Sequence, residues 1–185
     1  MALTQLDETT ALVVIDLQRG IVAMPAVPHS AVDVVQRTRR LAQVFRQKGL
    51  PVVVVNVAGR APGRTDAGVR AAALPEGWAD VVPELKELGD HFVTKHRPGA
   101  FLGTDLDGYL KGRHVTQIVL TGVATSVGVE ATARSAFDLG YHVTVVGDAV
   151  SDLGGENHRH SLEKVFPRLS EVTTTEVVLE FLNRT

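Results

Sequence analysis

The sequence predicts an open, doubly wound α/β sheet, a three-layer arrangement with helices on both faces. Two patterns carry that prediction. Short Val- and Ile-rich runs recur along the chain and stay apolar at nearly every position, as strands buried on both faces require. Between them lie longer stretches with apolar residues at helical spacing, closed by glycine or proline, and this alternation builds parallel sheets with crossover helices. Length agrees: 185 residues, 44% hydrophobic and 22% charged, suit one domain (1–185) with a substantial core and leave little for a second.

Ala11–Asp16 is the first strand. Ser30–Lys48 follows as a helix, with Val34, Thr38, Leu41 and Phe45 on one face and Gly49-Leu50-Pro51 as its stop. Pro51–Val57 is the second strand and completes a βαβ unit. Ala58–Asp80, with four Gly, two Pro and Trp78, is the one long irregular region. It reads as a binding loop, or as a surface connection with one helical turn at Val69–Ala73. His91–Lys95 and Val115–Thr121 are strands three and four, separated by a helix over Asp105–Lys111. A helix over Ser126–Leu139 ends on Gly140, strand five covers Tyr141–Val146, and a helix over Glu156–Phe166 is stopped by Pro167. Glu171–Thr173 is a short sixth strand and Glu176–Asn183 the closing helix. Two Met, one Trp and two Tyr leave the core to Val, Leu and Ala.

Charge removes some partners. With 19 Lys+Arg against 21 Asp+Glu, a net charge of −2 and no basic segment, the chain lacks the footprint of a nucleic-acid binder. No apolar run approaches the length of a spanning helix, and Met1–Thr10 is polar, so no membrane partner is expected and the chain reads as cytoplasmic. The absence of cysteine excludes disulfides, thiolate metal sites and a cysteine nucleophile.

In open α/β sheets ligands bind beyond the carboxyl ends of the strands, and three polar features lie there. Asp16 follows Leu12-Val13-Val14-Ile15, where partial desolvation tunes an acid for proton transfer; the plainer alternative is a turn or cap acceptor. Lys95 closes another buried strand, where it either holds a carboxylate or anionic substrate or simply reaches solvent along its stem. The turn Thr121–Gly128 joins a strand to a helix, so its backbone N–H groups form an anion or oxyanion site, and Thr125 or Ser126 also suits the helix cap.

Val14-Ile15-Asp16-Leu17-Gln18, Val93–Phe101, Thr104-Asp105-Leu106-Asp107 and the block Leu120–Tyr141 together resemble the isochorismatase-like (cysteine hydrolase) superfamily, in the right order from about Thr10 to the C-terminus. The resemblance implies a six-stranded parallel sheet of Rossmann-like topology and an Asp-Lys-Cys trio at the strand ends. It also implies a cis peptide near Val123-Ala124 that turns backbone N–H groups into an oxyanion hole. Asp16 matches the family acid/base and Lys95 the family lysine, with Gln18, Arg97, Ala124 and Thr125 as substrate-binding positions. No cofactor is implied, the partner is a small-molecule substrate, and members of the superfamily are commonly homo-oligomers, dimers or larger. The metal-binding branch carries Asp-x-His and a further His after its second strand. Here that stretch reads Asn56-Val57-Ala58-Gly59-Arg60-Ala61-Pro62-Gly63, so no metal is expected.

The family cysteine falls on Gly128, which removes an acyl-enzyme through a thiolate. Isochorismatases of the superfamily also carry glycine there, because hydrolysis of a vinyl ether needs protonation and water rather than a nucleophile. Arg97 matches an arginine of that subgroup and suits bidentate pairing with a substrate carboxylate. His96 and Pro98 beside it, and Ala124 and Ser126 in the turn, depart from that subgroup, and the rest of the chain looks closer to the cysteine-bearing amidase branch. The leading expectation is a hydrolase of a small carboxylate-bearing or amide-like molecule that works through Asp16 and Lys95. The alternatives are a non-catalytic small-molecule-binding member, or an amidohydrolase whose cysteine is replaced by Gly128. His158 and His160, two apart on a helix, point to different faces and read as solvated or capping residues.

Overall fold

The computed structural model describes residues 3–66 and 74–184. Six strands form one parallel sheet in the order β3-β2-β1-β4-β5-β6: β1 (Thr10–Ile15), β2 (Val52–Val57), β3 (His91–Lys95), β4 (Gln117–Val123), β5 (His142–Ser151) and β6 (Glu171–Thr173). This is the doubly wound α/β sheet that the sequence predicts, and the order reverses direction between β1 and β4. Of the helices, α1 (Arg19–Val22) and α3 (Pro83–Lys86) are single turns that the sequence pattern does not reveal, too short to show a period. The others are α2 (Ala31–Gln47), α4 (Leu106–Gly112), α5 (Glu130–Asp138), α6 (Gly155–His160) and α7 (Thr175–Arg184).

One layer of core packs β-strand residues Val13, Ile15, Val55 and Leu120 with Leu106 and Leu110 of α4 and Ala133 and Ala136 of α5. The opposite layer packs Leu12, Val14, Val54 and Val119 with Val34, Leu41 and Phe45 of α2 and Val178 and Leu182 of α7. Successive residues of each central strand therefore feed opposite cores, which is why those strands are apolar throughout. Ser30 caps α2 by accepting the Asp33 N–H at 3.1 Å.

Four predicted boundaries change. Strand four lies two residues later than expected, at Gln117–Val123 in place of Val115–Thr121. Strand five does not stop at Val146: β5 runs through Gly147 and Asp148 to Ser151 and pairs Val150 with Gly122 and Ser151 with Val123 after a register shift. Gly122 (φ +126) lets β4 lie against β1 at that shift, because a Cβ there would sit 2.0 Å from the Ile15 carbonyl oxygen. The helix predicted from Ser126 begins instead with a wide π-type turn, Thr125–Val129, closed by Val129 N–H to the Ala124 carbonyl at 3.2 Å. The helix predicted over Glu156–Phe166 breaks after α6 into a second wide turn, Ser161–Val165, and a 3₁₀ turn, Phe166–Arg168, which accommodates Pro167. The helical turn predicted at Val69–Ala73 lies outside the described residues.

Candidate active site

The register brings the exits of β1, β3 and β4 to one place. Ile15 pairs with both Val55 and Gly122, and Val57 pairs with Lys95, so Asp16, Lys95 and the turn after Val123 are neighbours across the switch in strand order. Asp16 leaves β1 in a left-handed conformation (φ +54), one that Asp tolerates better than most residues. Its N–H is held by the Val55 carbonyl at 2.9 Å.

Asp16 and Lys95 are 5% and 2% exposed, and Lys95 Nζ lies 2.8 Å from Asp16 Oδ2. Lys95 Nζ also donates to the Arg97 carbonyl at 3.1 Å. The other oxygen, Asp16 Oδ1, is buried and has no hydrogen-bond partner among the described residues. Burial pushes the Asp16 carboxyl up to about 6, against the opposing pull of the Lys95 charge. The pair is thus an acid that keeps its proton close to neutrality, anchored on one oxygen by an ammonium.

Both side chains line a cavity of about 410 Å³. Its walls are largely apolar, with Ile21, Met24, Val57, Val123, Ala124 and Val127 among them. Arg60, Thr65, His96 and Arg97 bring its remaining side-chain polarity, and Asp16 is the one carboxylate among the described lining residues. Gly128 closes the wall beside the pair. A Cβ there would point at it, 3.1 Å from Asp16 Oδ2 and 3.8 Å from Lys95 Nζ, and would crowd Ile15 Cγ2 at 2.9 Å.

Of the residues expected in the site, Asp16, Lys95, Arg97, Ala124 and Gly128 line the cavity, and Arg97 Nη1 lies 3.5 Å from the Leu102 carbonyl. Gln18 and Thr125 do not. Gln18 is fully buried, and its amide is taken up by main-chain groups of Val57 and Trp78. Thr125 is fully buried too, with its hydroxyl 2.9 Å from His158 Nδ1. His158 is accordingly not a solvated residue: it sits behind the turn, and burial holds it below its ordinary value, in the neutral form. The cap of the turn is neither Thr125 nor Ser126. Asp152, just past the unforeseen end of β5, accepts the Ser126 N–H at 2.7 Å. Arg60 and His96 are lining residues that the pattern did not single out; the signal was the place of His96 immediately beyond β3 and of Arg60 three residues beyond β2.

The peptide Val123–Ala124 is cis, at the position the resemblance implied. The isochorismatase domain family matches residues 10–177, nearly the whole described chain. The chain belongs to the isochorismatase family. An isochorismatase family protein of Escherichia coli O157:H7 is 40% identical over 182 residues, spanning 95% of this chain and 97% of that one. An isochorismatase family protein structure from Burkholderia thailandensis superposes with a TM-score of 0.91 at 44% identity, covering 96% of this chain and 97% of that one. The ureidoacrylate amidohydrolase of Variovorax paradoxus is 32% identical over 178 residues, covering 79% of this chain and 70% of its own length. This isochorismatase-family hydrolase therefore has amidohydrolases among its relatives, while its own sequence contains no cysteine.

Proposed function

We propose that the protein hydrolyses a small carboxylate-bearing vinyl ether, with Asp16 as general acid and water as the nucleophile. The observation that carries the reading is the buried Asp16–Lys95 pair, one carboxyl oxygen on the ammonium and the other without a donor, beside a glycine that supplies no thiol. A carboxyl in that setting keeps its proton to about pH 6, which suits it to donate rather than to attack. Neutral Asp16 protonates the terminal vinyl carbon. The electron pair of the C=C bond forms the new C–H bond, and the ether oxygen shares the resulting cation. Water adds to that oxocarbenium ion and returns a proton to the Asp16 carboxylate. The hemiketal then collapses to a ketone and an alcohol. Lys95 limits the reorganisation by stabilising the carboxylate between the two proton transfers.

Arg97, at the cavity wall, binds the substrate carboxylate, and the apolar wall takes its body. Gly128 stands at the family's nucleophile position in this reading. A second reading, C–N hydrolysis, is favoured by one observation: a side chain at Gly128 would aim at the acid–lysine pair. It accords with the amidohydrolase named above, and it requires a cysteine that the chain does not possess.

The test is turnover of isochorismate and simpler carboxylate-bearing vinyl ethers, read as keto acid release across pH. A general acid titrating at about 6 gives a rate that is high below that pH and falls as pH rises through it. A rate that rises through the same region makes Asp16 a base and overturns the acid role. No release from any vinyl ether overturns the substrate class and leaves the binding-protein reading.

A further inference from the structure

Gln18 lies two residues beyond Asp16, in extended conformation just before α1. Its side-chain Oε1 accepts the Val57 N–H at 2.7 Å, and its Nε2 donates to the Val57 carbonyl at 3.0 Å and to the Trp78 carbonyl at 3.3 Å. One amide thus closes both main-chain groups of the last residue of β2, where β1 has already turned away; the β1–β2 pairs end at Ile15 and Val55. The Gln18 main-chain N–H reaches back to the Asp16 carbonyl at 2.9 Å, across the turn in which Asp16 is left-handed. Asp16 is therefore tied to β2 on both sides, directly through Val55 and indirectly through Gln18 at Val57. The left-handed turn carries a cost that persists where neighbours over-determine it, and the Gln18 amide is such a neighbour.

We propose that Gln18 is a positioning residue for Asp16: its amide pins the Asp16 turn to the end of β2 and to the Trp78 segment, and so keeps the Asp16 carboxyl buried against Lys95. The charged or titratable groups that share the cavity with Asp16 are Lys95 and His96 at the end of β3, Arg97 just after them, and Arg60 beyond β2. The Gln18 amide is hydrogen-bonded to main chain of Val57 and Trp78 and not to any of these groups, so its effect runs through the backbone of the turn and not through charge. Without the tether the turn relaxes, the carboxyl reaches water, and the cause of its raised titration point is removed.

The test is a ¹³C-detected titration of the Asp16 carboxyl in Gln18→Met and Gln18→Ala, with Gln117→Met as control. Gln117 is an equally buried, fully hydrogen-bonded glutamine at the opposite end of the sheet. Gln18→Met keeps the volume but strips the bonds; Gln18→Ala leaves room for water on Val57, and decides the matter if the first variant does not fold. The expected result is an Asp16 midpoint lowered by about one pH unit or more in the Gln18 variants and unmoved in Gln117→Met. A midpoint that stays in place, rises, or moves equally in the control overturns the assignment, whatever happens to thermal stability. The inference rests on the acid role of Asp16 only in its kinetic arm, where kcat falls about tenfold or more while KM stays within about twofold. The titration needs no turnover, so a shifted midpoint in a protein that hydrolyses no vinyl ether sinks the proposed function and leaves the role of Gln18 intact.

Discussion

The two ends of the sheet handle buried polar groups in opposite ways. At the amino end Gln117 is 3% exposed, and all of its hydrogen-bonding capacity is used. Its Oε1 accepts the Asp7 N–H at 2.7 Å and the Thr10 hydroxyl at 3.0 Å, while its Nε2 donates to the Gln5 carbonyl at 3.2 Å and the Thr144 hydroxyl at 3.0 Å. At the carboxyl end Asp16 is as deeply buried, yet one of its oxygens has no donor. The amino end joins strands β1, β4 and β5 and is finished as it stands. The carboxyl end holds a carboxyl for which charge is expensive, and a group that keeps its proton up to about pH 6 is one able to deliver it. Polar burial alone thus does not mark a site; the informative feature is a buried carboxyl that is left incompletely paired and lines a cavity.

Five substitutions press on that contrast. Asp16→Asn removes the proton at nearly constant shape and is expected to reduce vinyl-ether turnover by about 10²–10⁴-fold, measured as keto acid release. It also removes a stability slope: between about pH 4 and 6 the native chain holds a proton that the unfolded chain has released, so Asp16 makes the wild type less stable as pH rises. Denaturant midpoints across that window should lose this component in the variant. Lys95→Met takes away the charge that pulls the Asp16 titration down, so the Asp16 midpoint should rise above about 6, by roughly one to three units, and the active limb of the rate profile should extend to higher pH. A lowered midpoint would mean that the ammonium is not what opposes burial.

Gly128→Cys tests the wall beside the pair. The new Cβ meets Ile15 Cγ2 at 2.9 Å, so the variant should lose about 2–3 kcal/mol in denaturant unfolding, and Ile15→Leu, which deletes that branch methyl, should return part of it. The same thiol, at a helix start and close to Lys95, should react with alkylating reagents well below the pH at which a free cysteine does, and an amide panel then reads whether C–N hydrolysis appears. The smallest effect belongs to the finished end. Gln117→Met should cost about 1–2 kcal/mol of stability and leave the rate profile unchanged; a shifted profile would erase the distinction between the two ends.

Much of the architecture was legible in local pattern. A strand apolar on both faces and a helix with Val34, Thr38, Leu41 and Phe45 on one side carry their environment in their own residues, and the parallel sheet follows. The position of Asp16 and Lys95 immediately at strand ends was legible for the same reason. What misled was the reach of β5: Gly147 and Asp148 look like a stop, but pairing with the end of β4 carries the strand on to Ser151 and delivers Asp152 to the turn. The wide turn at Thr125–Val129 was also hidden, since an i to i−5 bond leaves no period in the sequence.

The sequence by itself determined that there are six strands and where along the chain each lies, though not where each ends, which faces are buried, that no thiol exists, and that an acid and a lysine stand at the ends of two of the strands. Those are properties of single residues and their near neighbours, written in hydrophobic period and residue type. Only the tertiary structure decided that the acid and the lysine meet at 2.8 Å, that one Asp16 oxygen lacks a donor, and that Gln18 grips Val57 instead of lining the cavity. Each of these depends on the register between strands far apart in the chain and on how much water their packing excludes, and neither quantity is encoded in any one segment.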